Sequence, residues 1–142
     1  MKLESGGIYN IVLESVIQHH QEAVSSVQWA LTEGNAFSSL VLMSSSFDFT
    51  VALWRPDPSG AWSVESTLGA LVGNKHAYFG AIFLGNANHI LANTYGGAMH
   101  QWSREDSENS WKTQLTIKGH FGPVCDLDWD QHNLSLITAS ND

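Results

Sequence analysis

Cysteine and basic residues are scarce in this chain of 142 residues. The single cysteine, Cys125, cannot form an internal disulfide, so we expect a protein of a reducing compartment. The 6 lysines and arginines stand against 14 aspartates and glutamates, which gives a formal charge of -8. Because binding to phosphate backbones relies on clustered lysine and arginine, this balance argues against a protein that binds nucleic acid directly.

Long apolar runs and targeting patterns are missing as well. No segment approaches the roughly 20 apolar residues of a membrane-spanning helix, and Met1 to Gly7 lack the apolar core of a signal peptide. We therefore expect a soluble intracellular protein. The sequence has no glycine motif for nucleotides and no histidine or cysteine spacing typical of metal ligands, so we predict no cofactor and no metal site.

The residues that are abundant favour short strands and tight turns. Hydrophobic residues make up 43% of the chain, and 6 tryptophans and 12 glycines are present. Arg55 to Gly60 contains two prolines, which a central strand does not tolerate, so the preceding strand is predicted to end at Trp54. Alternating or continuous apolar runs between turn residues predict eleven strands, at 8–18, 24–30, 39–45, 50–54, 61–68, 78–84, 89–94, 98–102, 111–117, 124–129 and 134–140.

These strands recur in cycles of four. Apolar residues four and seven positions after His20, and a tryptophan nine positions after it, are matched at the same distances from His120. Trp54 and Trp102, which close equivalent strands, lie 48 positions apart. A recurring spacing of this size predicts stacked structural repeats.

The repeats resemble WD40 repeats, which have four strands in about 40–45 residues; loop insertions account for the longer spacing. The resemblance implies an all-β fold, a WD40 β-propeller fragment of about two and a half four-stranded antiparallel blades. Residues 1–142 then form one partial propeller, with the outer strand of a preceding blade at 8–18, a blade at 19–69, an atypical blade at 70–118 and the start of an incomplete blade at 119–142.

WD40 blades carry a buried hydrogen-bonded network of a histidine, a serine or threonine, an aspartate and a tryptophan. A buried carboxylate needs partners, and a histidine that donates to it while accepting from a hydroxyl satisfies both groups. The resemblance assigns these roles to His20, Ser44, Asp48 and Trp54, with Ser46 as the alternative hydroxyl.

The other two cycles depart from this pattern. Gly96 stands where the second cycle would have its aspartate, so that blade is predicted to lack the network. In the last cycle, His120 opens the blade and Asp142 matches Asp48, but the strand that would supply the tryptophan is absent.

The same residue types could form a hydrolase triad or an RNA-stacking surface. Ser44 lies in an apolar strand rather than on the turn of a Gly-x-Ser-x-Gly motif, and nothing in the sequence predicts an oxyanion hole. We therefore predict no catalytic residue and no enzymatic activity. Trp62 and Trp111 could stack on bases, although covering the outer strand of each blade explains them better.

Three segments resemble one WD40 subfamily more closely, the scaffold subunit of the Elongator complex. They are 48–57, 72–74 leading to 90–102, and 119–130. The resemblance covers about residues 18–142. It implies that the chain is an internal fragment of a longer protein with two propellers.

This resemblance implies a non-catalytic role in the modification of tRNA wobble uridine. The radical S-adenosylmethionine and acetyl-CoA chemistry belongs to another Elongator subunit, and the scaffold holds that catalytic subunit and the largest subunit together. We expect these protein partners, no membrane partner, and a location in the cytoplasm and nucleus. The alternative is an unrelated WD40 adaptor that binds peptides or modified residues. Because an incomplete propeller leaves apolar blade faces open, we expect the isolated chain to be marginally stable, dimeric or aggregating.

Overall fold

The computed structural model describes residues 12–31, 40–69, 76–85, 87–104, 110–130, 132 and 134–142. Among these residues the secondary structure consists of strands, and no helix is long and apolar enough to cross a membrane. The strands are β1 (Val24–Leu31), β2 (Leu40–Ser46), β3 (Val51–Pro56), β4 (Trp62–Leu68), β5 (Tyr78–Leu84), β6 (His89–Thr94), β7 (Ala98–Arg104), β8 (Trp111–Lys118), β9 (Val124–Asp130) and β10 (Ser135–Ser140).

The strands form three antiparallel sheets in chain order. The first sheet is β1-β2-β3-β4, the second is β5-β6-β7-β8, and β9 pairs with β10 in a third sheet of two strands. Antiparallel pairing of sequential neighbours is typical of meanders. The predicted fold class, an all-β fragment of a β-propeller with four-stranded blades, is confirmed.

The two complete sheets have equivalent registers. Trp54 lies opposite Leu42 in the first sheet, and Trp102 lies opposite Ile90 in the second. Counting two residues onward along β2 and β6 places Ser44 and Ala92 at equivalent positions. Side chains at these positions point to the same face of their sheets, since strands alternate with a period of two.

The hydrophobic core lies between these two sheets. The first sheet contributes Val41, Met43, Val51 and Leu53, and all four are at most 3% exposed. The second sheet packs the side chains of Tyr78, Ala81, Ile90, Ala92 and Trp102 against them. Burial of apolar area at about 25 cal/mol per Å² makes this contact between sheets the main stabilising feature.

The strand predicted at 8–18 is wrong where the structure describes it. Residues 12–20 are irregular, and the rest of the predicted strand lies outside the described residues. A strand requires a neighbour for its backbone hydrogen bonds, and none of the described strands pairs with this segment. Its apolar pattern therefore leaves Val12, Leu13 and Val16 exposed.

Strand β3 also continues beyond its predicted end at Trp54. Pro56 is the last residue of the strand and lies opposite Trp62. A proline is tolerated at this position because no further ladder bond depends on its missing N–H group.

Both ends of the stacked sheets present apolar side chains to solvent. On the outer face of the first sheet, Val24 is 52% exposed and Val27 is 64% exposed, whereas the equivalent Tyr78 and Ala81 of the second sheet are 0% and 5% exposed. At the other end, Ile137 on β10 is 71% exposed. The difference arises because the first sheet covers the face of the second, and no described strand covers the face of the first.

Candidate functional site

The candidate site is a network centred on the ring of His20. Nδ1 of His20 lies 2.9 Å from Oδ2 of Asp48, and Nε2 lies 2.8 Å from Oγ of Ser44. The histidine comes from the turn before β1, the serine from β2, and the aspartate from the turn between β2 and β3. The network thus ties the turn before β1 to the middle of the sheet.

The hydrogen bonds of this network run in one direction, from the donor Trp54 through Ser44 and His20 to the acceptor Asp48. Nε1–H of Trp54 donates to Oγ of Ser44 over 2.9 Å, so the serine hydroxyl donates to Nε2 of His20. Nδ1–H of the histidine then donates to the carboxylate of Asp48. The structure therefore brings together all four residues that the sequence assigns to the first blade.

Asp48 accepts further hydrogen bonds beyond the one from histidine. Oγ1 of Thr50 donates over 2.6 Å, and the backbone N–H groups of Gln21 and Thr50 donate over 2.9 Å and 3.0 Å. Burial raises the pKa of Asp48 and is the largest single influence on it. The bonds from Thr50, Gln21 and His20 together outweigh burial and lower the pKa to about 2. The carboxylate is therefore ionised across the physiological range.

Ser46, the alternative hydroxyl, has a different role. Its Oγ accepts from the backbone N–H of Asp48 and donates to the carbonyl of Glu22. These bonds hold two turns together without contacting the histidine. The ring of His20 instead contacts Ser44, whose hydroxyl oxygen also accepts the indole N–H of Trp54.

Ser44, His20 and Asp48 have the distances of a catalytic triad, but the environment of the serine differs from that of a nucleophile. The indole N–H of Trp54 occupies a lone pair of the serine oxygen, and Ser44 is 5% exposed within a paired strand. A nucleophilic serine needs an accessible hydroxyl oxygen and a neighbouring oxyanion hole. The arrangement is suited to holding strands and turns together.

The third sheet repeats three of the four members of the network, namely the histidine, the hydroxyl and the aspartate. Nδ1 of His120 lies 3.1 Å from Oδ1 of Asp142, and its Nε2 lies 2.9 Å from Oγ1 of Thr138. The backbone N–H of Phe121 donates to the same carboxylate, as that of Gln21 does in the first sheet. This hydrogen bond from Phe121 is the largest influence that lowers the pKa of Asp142, to about 2.

The second sheet replaces the network with a different polar pair. Ala92 stands at the position of Ser44, and Gly96 stands at the position of Asp48, so neither partner of the histidine is present. The hydroxyl of Tyr78 instead lies 2.7 Å from Nδ1 of His100, and both residues are buried. The ring of His76 packs so closely on Gly96 that a Cβ there would lie 2.7 Å from it.

Burial dominates the ionisation of this tyrosine–histidine pair. It raises the pKa of the Tyr78 hydroxyl, and it lowers the pKa of His100, with a further contribution from the charge of His76. Burial therefore keeps the Tyr78 hydroxyl protonated and the His100 ring neutral, and one hydrogen bond joins the hydroxyl oxygen to Nδ1. The absence of the aspartate in this blade was predicted from Gly96, whereas no pattern in the sequence indicates that Tyr78 and His100 pair in place of the network.

Both tryptophans considered as base-stacking residues contact other side chains of the chain. The ring of Trp62 meets that of Trp29 with centroids 5.3 Å apart, and the ring of Trp111 lies under the guanidinium of Arg104. Trp111 also packs against the core. Among the described residues no group of three or more histidine, cysteine, aspartate or glutamate side chains could hold a metal ion.

The chain matches a known family model over the residues that form the histidine networks. The family model described as WD domain, G-beta repeat matches residues 12–55 and 111–142. The first range includes His20, Ser44, Asp48 and Trp54, and the second includes His120, Thr138 and Asp142. The unmatched part between them contains most of the second sheet, in which the aspartate is replaced by Gly96.

The chain is also similar to curated proteins over nearly its whole length. It is 35% identical to Elongator complex protein 2 of Dictyostelium discoideum over 94% of the chain and 16% of that protein. The identity is 36% to Elongator complex protein 2 of Drosophila melanogaster and 31% to that of Homo sapiens, in each case over 94% of the chain and 17% of the relative. The chain thus spans about a sixth of the length of these relatives.

Proposed function

Because the chain belongs to the WD40-repeat family, we propose that it is a non-catalytic part of the WD40 subunit of an Elongator complex. The observation that carries this proposal is the identity of 31–36% to Elongator complex protein 2 from a slime mould, an insect and a mammal. The similarity includes β5 to β7 of the second sheet, which the general WD40 model does not match. It therefore extends over a part of the chain that a general resemblance to WD40 repeats does not explain.

The proposed role is that of a scaffold. Stacked four-stranded sheets offer turns and sheet edges for contacts with other proteins, and the histidine networks hold those turns in place. We propose that the contacts are with the catalytic and largest Elongator subunits, in support of wobble-uridine modification of tRNA. The proposed location is the cytoplasm and nucleus, and the formal charge of -8 supports a protein partner rather than direct binding to tRNA.

Affinity capture from cells tests this proposal. The chain carrying an affinity tag is expressed in its own organism, and the captured proteins are identified by mass spectrometry. A double variant, Asp48→Ala with Asp142→Ala, serves as the matched control, since it removes the carboxylate from both networks with little change in composition. We expect Elongator subunits to be enriched with the original chain and lost with the control.

Two outcomes would overturn the proposal. One is equal capture by the original chain and the double variant, because binding would then not depend on the folded sheets. The other is a reproducible set of partners without Elongator subunits, which would favour the alternative of an unrelated WD40 adaptor.

A further inference from the structure

His100 on β7 is a buried histidine outside the networks of the first and third sheets. Its side chain belongs to a residue that is 8% exposed. The residues opposite it are Ala92 on β6 and Thr116 on β8, and neither can carry a charge. The two neighbouring strands therefore offer no counter-ion to this ring at the paired positions.

The other elements that pack near His100 bring aromatic and apolar groups. The rings of Trp102 and Tyr78 meet it edge to face, with centroids 6.0 Å and 5.7 Å away. Leu68 of the first sheet belongs to the same core cluster as these two aromatic residues. A Cβ at the next residue, Gly69, would lie 2.7 Å from the ring of Tyr78. His100 therefore lies beside the contact between the two four-stranded sheets.

Among the described residues, the titratable groups that face this ring are a phenol and two cations. The hydroxyl oxygen of Tyr78 lies 2.7 Å from Nδ1 of His100. His76, in the segment before β5, acts on the ring through its charge. Lys118 lies two residues beyond Thr116 on the same face of β8. No carboxylate in the described part of the chain stabilises a charge on His100.

A proton on His100 is therefore a buried charge without compensation. Burial disfavours the charged form and the charge of His76 disfavours it further, so the pKa of His100 is lowered from its ordinary value of 6.5. The folded chain then binds this proton less readily than the unfolded chain does. The stability that comes from the neutral ring is present above about pH 6.5 and is lost as the pH falls below that value.

The first and third sheets respond differently to the same change of pH. Nδ1 of His20 lies 2.9 Å from Asp48, whose pKa of about 2 keeps the carboxylate ionised at pH 5.5. A proton on His20 thus completes an ion pair instead of adding an uncompensated charge. His120 and Asp142 form the equivalent pair in the third sheet.

We propose that the second sheet is an acid-sensitive element, in which protonation of His100 puts a charge beside the contact between the two four-stranded sheets and shifts that contact towards an open form. Opening exposes the aromatic side chains of Tyr78 and Trp102, which the contact buries at neutral pH. The change takes place between about pH 7 and pH 5, where histidine titrates. This inference goes beyond the proposed Elongator membership and does not rest on it.

Hydrogen exchange of the whole chain, followed by mass spectrometry, tests this proposal. Exchange is measured at pH 7.5 and at pH 5.5 and is corrected for the pH dependence of exchange in unstructured peptides. Peptides within 78–118 report on the second sheet, and peptides within 24–68 report on the first. An ordinary histidine favours its protonated form about tenfold at pH 5.5, so the protection of the second sheet should fall by up to about tenfold relative to the first.

Two substitutions form a matched pair. His100→Gln keeps a polar side chain that can bond to the hydroxyl of Tyr78 but cannot take a charge. It should abolish the extra loss of protection at pH 5.5, even if it lowers protection at both pH values. His132→Gln makes the same change at an exposed histidine and should retain the extra loss.

Three results would overturn the proposal: no greater loss of protection in β5 to β8 than in β1 to β4, an extra loss that persists in His100→Gln, or an extra loss that His132→Gln also removes. If His100→Gln does not fold, the titration of the His100 ring in the original chain, followed by ¹H–¹³C nuclear magnetic resonance, decides the question. Titration below pH 6.5 in step with the loss of protection supports the proposal, and titration at or above pH 6.5 contradicts it.

Discussion

At the scale of the residue, the histidine networks show how far a repeat pattern and its resemblance to WD40 repeats can locate a site. His20, Asp48 and Trp54 follow from their positions in the repeat, and the structure brings them together through Ser44. Thr50 was not identified, although a threonine two residues after a turn aspartate is a common local hydrogen-bonding arrangement. The hydrogen bond from Nδ2 of Asn93 to the carbonyl of Val124 could not be predicted, because it joins strands of two different sheets.

The low pKa of Asp48 leads to a prediction about acid stability. Its pKa falls from the usual 3.8 in the unfolded chain to about 2 in the folded chain. The carboxylate therefore stabilises the fold above about pH 4, by about 2 kcal/mol, and this stabilisation is lost as the pH falls towards 2. Asp48→Asn should lower the free energy of unfolding by about that amount at pH 7 and by much less near pH 2.5.

Urea unfolding followed by tryptophan fluorescence at a series of pH values measures this difference. Glu22→Gln is the matched control, since it removes a carboxylate from an exposed residue of the neighbouring turn and should change stability by less than about 0.5 kcal/mol. A loss for Asp48→Asn that stays constant from pH 7 to pH 2.5 would show that the ionised carboxylate is not the source.

At the scale of the element, the ten strands and their pairing with sequential neighbours were largely predictable, whereas the lack of a strand at residues 12–18 was not. Alternating side chains and turn residues locate β1 to β10, because each of these strands has a neighbour in sequence. The segment 8–18 has a comparable apolar pattern but no strand beside residues 12–18. Apolar pattern therefore predicts a strand only where a partner supplies the hydrogen bonds. The second sheet gives another example of dependence on strand pairing. Tyr78 on β5 and His100 on β7 come into contact because both strands pair with β6.

Introducing an aspartate at position 96 of the second sheet should lower the stability of the chain. The repeat pattern suggests that Gly96→Asp would complete the network, but its Cβ would lie 2.7 Å from the ring of His76, and Ala92 offers no hydroxyl. We expect the free energy of unfolding to fall by about 1–2 kcal/mol. Thermal and urea unfolding measure the change.

Gly119→Ala is the control for that substitution. A Cβ at Gly119 meets nothing within 4 Å, so we expect a change of less than about 0.5 kcal/mol. A Gly96→Asp variant more stable than the original chain would mean that His76 moves aside and pairs with the new carboxylate.

At the scale of the whole molecule, the two open ends decide how the chain behaves in solution. Val24, Val27 and Trp29 on the first sheet are each more than half exposed, and Ile137 is exposed at the other end. Two different apolar surfaces on opposite ends allow head-to-tail contacts, which form rings or open chains. Self-association of the isolated chain stays a prediction from the sequence, and these exposures supply its structural basis.

A lysine on the open face should reduce that association. Val27→Lys places a charge on the outer face of β1, where Val27 is 64% exposed, and should shift the chain towards monomer. Leu115→Lys makes a comparable change on the outer strand β8, where Leu115 is 51% exposed, and should leave association unchanged. Analytical ultracentrifugation over a range of concentrations measures both. An original chain that is monomeric throughout would contradict the expectation.

The central claim is that His20, Ser44, Asp48 and Trp54 form a network that stabilises a blade and does no chemistry. Substitution of Ser44 by alanine, with unfolding and hydrolysis of an activated ester measured on the same protein, tests it most directly. Because Trp54 and His20 both lose their hydroxyl partner, we expect the free energy of unfolding to fall by about 1–3 kcal/mol. Ester hydrolysis should be equally slow with the original chain and the variant. Hydrolysis that disappears in Ser44→Ala while stability stays unchanged would contradict the claim and make these residues a catalytic triad.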